Sequence, residues 1–198
     1  ADMKLNLRRW PAALFLAMAI LAIAPPTQGA ATEAAWARLA QGGYTILLGY
    51  SRTPGDGEPL RPDLGDCDKR KSLTDRGIQA APRLRIRFAA RAVSINAVYS
   101  GEFCRAVETA ELAFGSSAVE TRAYLNSIVG GADPDEIPPE LIIAVEEFYG
   151  AGNQLMITHP ALIKAISGTT PRIGEAVIIA PGENPGDKPR VVNRLLLD

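Results

Sequence analysis

Three short runs at residues 44–48, 96–100 and 154–158 have the length and apolar character of strands, and helical stretches separate them. The first is continuously apolar, the pattern of a strand buried on both faces. Strands alternating with helices predict an α/β fold of three layers, a mainly parallel sheet flanked by helices. In such sheets ligands bind beyond the carboxyl ends of the strands. Here those ends are Gly49-Tyr50, Ser100 leading to Arg105, and Thr158-His159. His159 is the chain's single histidine.

The intervening segments complete the pattern. Residues 32–41 read as a short helix that packs on the domain and is stopped by Gly42-Gly43. Residues 55–68, rich in Gly, Pro and Asp, read as a long loop. A helix is expected over 73–92, capped by Ser72 or Thr74, with Pro82 kinking or splitting it. Helices follow over 105–114, ended by Gly115, over 140–149, opened by Pro138-Pro139 and ended by Gly150, and over 161–167, after Pro160. Residues 130–139 form a loop, and strands over 175–180 and 191–196 close the sheet at one edge.

The first 31 residues read as an export signal with an extension, and 32–198 as one domain. Lys4, Arg8 and Arg9 precede an apolar run over 12–24, and Pro25-Pro26 breaks it ahead of Gly29-Ala30-Ala31, any of which could precede the cleavage. Met3 is the expected natural start, with Ala1-Asp2 added. The run falls short of the roughly 20 residues a spanning helix needs, so no stable membrane anchor is expected after cleavage. The expected location is periplasmic or extracellular. An even count of cysteines in an exported chain permits a bridge, and the sequence leaves open whether Cys67 and Cys104 form it. Lys and Arg number 21 against 22 Asp and Glu, so no net field draws the chain to nucleic acid, and aromatics are too sparse for base stacking. Any anion site must come from a local cluster. No metal or cofactor is expected.

The strand ends carry a recognisable pattern. Tyr44-Thr45-Ile46-Leu47-Leu48-Gly49-Tyr50-Ser51-Arg52-Thr53 runs from strand to turn. Val98-Tyr99-Ser100-Gly101-Glu102-Phe103-Cys104-Arg105 leads into a helix that holds Thr109-Ala110. Leu155-Met156-Ile157-Thr158-His159 ends the third strand. Leu73-Thr74-Asp75-Arg76-Gly77, followed by Gln79-Ala80, opens the helix between the first two. In order and spacing these resemble the motifs of the histidine phosphatase (phosphoglycerate mutase-like) superfamily over residues 44–180. One departure is that the Gln lies two residues after Gly77 rather than three.

The resemblance implies a phosphoryl-transfer scaffold. In that family a histidine at the first strand end attacks phosphorus, two arginines and a second histidine neutralise the phosphoryl oxygens, and a carboxylic acid protonates the leaving alcohol. Carried over, Arg105 is the second-motif phosphate clamp and His159 the second histidine. The first-motif Arg-His pair, however, falls on Gly49-Tyr50. Glycine has no guanidinium fork. A phenol, with a reference pKa of about 10, is a poor nucleophile near neutrality. Thr53 and Arg52, in the turn, are further candidates for phosphate contact. The acid is unplaced among Asp63, Asp66, Glu102 and Glu108, and Glu108 is expected to face solvent.

The leading expectation is a degenerate, exported member with a partial anion pocket and little turnover, binding a phosphorylated small molecule, a glycan, free phosphate or a protein partner. Its rival is an active phosphomonoesterase in which Tyr50, or a water directed by His159, replaces the nucleophile. A third reading is an otherwise active sequence altered at residues 49 and 50.

Overall fold

A computed structural model describes residues 28–54, 67, 72–126 and 136–197. Among them five helices and six strands follow the order α1 (Gln28–Gln41), β1 (Thr45–Gly49), α2 (Asp75–Ala90), β2 (Ile95–Ser100), α3 (Cys104–Phe114), β3 (Val119–Thr121), α4 (Pro139–Glu146), β4 (Asn153–Thr158), α5 (Pro160–Ser167), β5 (Glu175–Ala180) and β6 (Arg190–Leu196). Residues 1–27 of the expected export signal and most of the 55–68 loop lie outside the described residues, as do 127–135 and the acid candidates Asp63 and Asp66. No described helix is long and apolar enough to cross a membrane.

The strands form one sheet in the order β3-β2-β4-β1-β5-β6. The pairs β3–β2, β2–β4 and β4–β1 are parallel, while β1–β5 and β5–β6 are antiparallel. The closing pair at the edge is therefore as expected. Side chains alternate across the sheet with the period of two that pleating imposes. Ile46, Leu48, Leu155, Ile157 and Ile178 meet α1, α2 and α3 in one core, which holds Trp36, Phe88 and Phe103. Leu47, Met156, Val177 and Ile179 meet α4 and α5 in the other. The central strands β1 and β4 are covered on both faces, and the polar residues buried in β4, Asn153, Gln154 and Thr158, are each hydrogen-bonded.

Several expectations need correction. The first helix starts at Gln28, four residues earlier than expected, so the candidate cleavage positions Gly29, Ala30 and Ala31 lie in its first two turns. Pro82 does not split α2. The ring is exposed, and the buried stripe Gly77, Ala81, Leu84 and Phe88 holds the helix to the core on both sides of it. Helix α4 ends at Glu146 rather than at Tyr149, with Glu147 as its cap. Strand β3 was not anticipated.

Asn153, fully buried at the start of β4, ties the base of the sheet together. Its Nδ2 donates to the carbonyls of Leu39 at 2.8 Å and Ser94 at 3.1 Å, and its Oδ1 accepts from the Tyr44 amide at 3.3 Å.

Candidate functional site

Register decides what meets at the top of the sheet. In neighbouring parallel strands Gly49 pairs with Thr158, so the next residues, Tyr50 and His159, emerge side by side. On the other side of β4, Ser100 pairs with Ile157, which brings the start of α3 and hence Arg105 to the same end.

Tyr50 lies between the other two. The Arg105 Nη1 donates to its Oη at 3.3 Å, and the guanidinium carbon stands 5.0 Å from the centre of its ring. The His159 ring centre is 5.7 Å away on a tilted plane, and Phe103 packs 6.2 Å from that imidazole. His159 is buried and caps its own helix, its Nδ1 accepting from the Ala161 N–H at 3.0 Å. An imidazole that accepts at Nδ1 carries its proton on Nε2 when neutral. The ring is therefore fixed as an Nε2–H donor.

The turn after β1 is held from two sides. The Ser51 amide donates to Thr109 Oγ1 at 3.0 Å, and that hydroxyl donates to the Arg105 carbonyl at 2.7 Å. Thr109 thus fastens the Tyr50 turn to the helix that carries Arg105, a structural reason for the Thr of the Thr-Ala pair. On the far side the Arg52 carbonyl accepts from the Thr74 amide at 2.9 Å and from its hydroxyl at 3.2 Å, and Ser51 Oγ donates to the Gly77 carbonyl at 3.0 Å. A Cβ on Gly77 would stand 2.4 Å from the Arg52 oxygen, so only glycine lets the first turn of α2 approach this closely. Thr74, not Ser72, caps α2, accepting from the Gly77 amide at 3.1 Å.

A cleft of about 750 Å³ opens here, lined by Gly49, Tyr50, Arg52, Thr53 and His159 and rimmed by Arg76 and Arg172. Arg105 stands behind Tyr50, outside that lining. Gly49 is not forced by sterics. An added Cβ would meet Pro160 Cγ at 3.6 Å, ordinary contact, and its backbone is not left-handed.

The remaining acid candidates are engaged elsewhere. Glu102 is exposed and accepts from Asn126 Nδ2 at 2.5 Å. Glu108 does not face solvent freely as expected; it is half-buried and accepts from Ser72 Oγ. Neither lines the cleft. No group of three His, Cys, Asp or Glu among the described residues is placed to hold a metal ion. Cys67 and Cys104 are bonded as a disulfide with a Cα–Cα distance of 5.2 Å. It ties Cys67 to the first residue of α3, next to Arg105.

No protein-family model matches the chain, and no curated protein matches it. Solved structures do. The protein histidine phosphatase SixA complexed with tungstate shares 17% identity at a TM-score of 0.53, covering 78% of this chain and 97% of its own. A mutant phosphoserine phosphatase of Entamoeba histolytica in complex with phosphoserine shares 14% at 0.54, covering 78% and 98%. The YhfR protein of Bacillus stearothermophilus shares 18% at 0.51, covering 76% and 95%. At such identities the likeness is one of fold, and the fold is that of the histidine phosphatases.

Proposed function

We propose that this chain is a degenerate histidine-phosphatase-like protein that binds a phosphate-type anion and turns over little or none of it. The observation that carries the reading is Tyr50, seated between Arg105 and His159 at the strand end where the fold's chemistry would require an imidazole. Arg105 brings a permanent positive charge and His159 an Nε2–H. Thr53 offers a hydroxyl from the cleft wall, and Arg52 a second guanidinium at the mouth. Thr53 and Arg52 line the cleft as donors for the oxygens of a phosphorylated small molecule, a glycan phosphate or free phosphate, while Arg105 adds its charge from outside the lining and the His159 Nε2 is buried beneath it. Tungstate bound to one structural neighbour and phosphoserine bound to another support an anion of that shape. What is lacking is a nucleophile of suitable strength and the second clamp at Gly49; losing one partner of such a charged set costs about 2–5 kcal/mol of binding.

The Cys67–Cys104 bridge supports export to a periplasmic or extracellular space, since such bonds persist in oxidising compartments. A second reading, a phosphomonoesterase that uses Tyr50 itself, draws on the Arg105 guanidinium, whose Nη1 donates to the Tyr50 hydroxyl.

Two measurements decide. Phosphate or vanadate should raise the melting temperature of the protein, because a ligand that binds only the folded state stabilises it, and Arg105→Ala should remove that rise. Aryl phosphate hydrolysis should stay at background. Clear turnover that disappears in Arg105→Ala would instead establish the second reading.

A further inference from the structure

Helix α2 carries an unusual load of charge for a chain whose net charge is −1. Its sequence contains Arg76, Arg83, Arg85 and Arg87 against one acid, Asp75. At about 100° per residue these arginines fall into two sets. The core-facing stripe Gly77, Ala81, Leu84 and Phe88 defines one direction. Arg76, Arg83 and Arg87 cluster on one flank of it, and Arg85 lies roughly half a turn away from them. Like charges four residues apart, as Arg83 and Arg87 are, destabilise a helix, so nothing in α2's own stability accounts for this stripe.

That flank faces a space. A second cavity, of about 330 Å³, runs along it, with Arg76, Arg83 and Arg87 on one wall and Ile173, Gly174 and Leu197 on the other. Gly49, Tyr50, Ser51 and Arg52 line both this space and the main cleft, so the two are adjacent. Arg85 lines neither. All three arginines of the stripe are exposed, with guanidinium groups free to reorganise onto a ligand. From Arg76 to Arg87 the helix rises about 16 Å, at 1.5 Å per residue, which is longer than one tetrahedral anion can use.

We propose that this groove is a second anion subsite, and that the natural ligand is a small polyanion. One of its phosphoryl groups would occupy the Tyr50–Arg105–His159 end, and a further phosphate or carboxylate group would lie against Arg83 and Arg87. The inference rests on the anion-pocket reading and extends it by specifying a ligand with two or more anionic groups. A monoanionic head on a neutral body would leave the arginine wall unused.

The test compares orthophosphate with linear tripolyphosphate by calorimetric titration of the whole protein at constant ionic strength. Tripolyphosphate should bind at least about tenfold more tightly, since charge-assisted hydrogen bonds of this kind are each worth about an order of magnitude. Arg83→Ala and Arg87→Ala should each remove about five- to tenfold of the tripolyphosphate affinity and leave orthophosphate binding unchanged. Arg85→Ala deletes the same charge from the same helix but away from the groove, and should change neither. Equal affinity for the two anions, or an Arg85→Ala loss as large as that of Arg83→Ala, would overturn the subsite while leaving the phosphoryl pocket standing. If neither anion binds, the pocket reading and the subsite fall together.

Discussion

The double change Gly49→Arg with Tyr50→His tests the proposal that residues 49 and 50 stand where a clamp and a nucleophile would act. The backbone at residue 49 has room for a Cβ. The new Cβ at residue 49 would be 3.6 Å from Pro160 Cγ, an ordinary contact, and replacing a strand glycine removes about 0.5–1 kcal/mol of backbone entropy cost. Losing the Tyr50 hydroxyl forfeits one hydrogen bond at 3.3 Å, long enough to sit near the low end of the usual 0.5–1.5 kcal/mol. Stability should thus move by less than about 1 kcal/mol either way. Function should move far more. A guanidinium bonded to phosphate oxygens contributes about 1.5–3 kcal/mol, a gain of roughly ten- to a hundredfold in phosphate affinity. Removing a nucleophile costs about a million-fold in turnover. Supplying one without a placed acid should recover only part of that, on the order of a thousandfold over the unaltered chain. The assay is aryl phosphate hydrolysis, with trapping of an acid-labile, base-stable phosphoenzyme. If the double variant folds with an unchanged melting temperature yet neither binds phosphate more tightly nor forms that intermediate, residues 49 and 50 do not face the anion.

Gly77→Ala should cost about 1–3 kcal/mol in chemical denaturation, because its methyl would overlap the Arg52 carbonyl, and should weaken phosphate binding by displacing the turn with Arg52 and Thr53. Opening the disulfide by Cys67→Ser frees a loop of 37 residues' separation and should cost about 3–4 kcal/mol, seen equally when reductant is added to the unaltered protein; no response to reductant would show that the bond is not formed in solution. Asn153→Ala removes side-chain donations to two carbonyls that keep a backbone donor each, leaves the Tyr44 amide without its side-chain acceptor, and should destabilise by about 1–3 kcal/mol, lowering the urea midpoint with little effect on anion affinity.

What the sequence disclosed, and what it hid, follow from how each feature is encoded. The central strands announce themselves because both faces are buried, so each carries an unbroken apolar run, 46–48 in one and 155–157 in the other. Strand β3 gave no such signal: it has three residues, with Val119 half-buried and Glu120 and Thr121 exposed. Pro82 misled because a ring on the solvent side of α2 removes one hydrogen bond but leaves the packing of Ala81 and Leu84 intact. The arginine stripe was visible as composition, yet its meaning depends on Ile173 and Leu197 standing opposite, nearly a hundred residues further along the chain. The disulfide likewise needed a measured distance.

The grouping of the candidate residues was legible because backbone register, not side-chain identity, brings them together. Residues 50 and 159 are brought together by the pairing of Gly49 with Thr158, a backbone relation blind to the side chains that follow. Residue 105 is placed by the β2–β4 register and by Thr109, which binds the turn after β1 to the Arg105 carbonyl. None of these constraints requires an imidazole at residue 50 or a guanidinium at residue 49. The Tyr50 ring packs against both the Arg105 guanidinium and the His159 ring. A catalytic pair can therefore be exchanged for a structural one without disturbing the fold. Selection acting only on binding would then hold Arg105, His159 and the turn in place while leaving residues 49 and 50 free to drift.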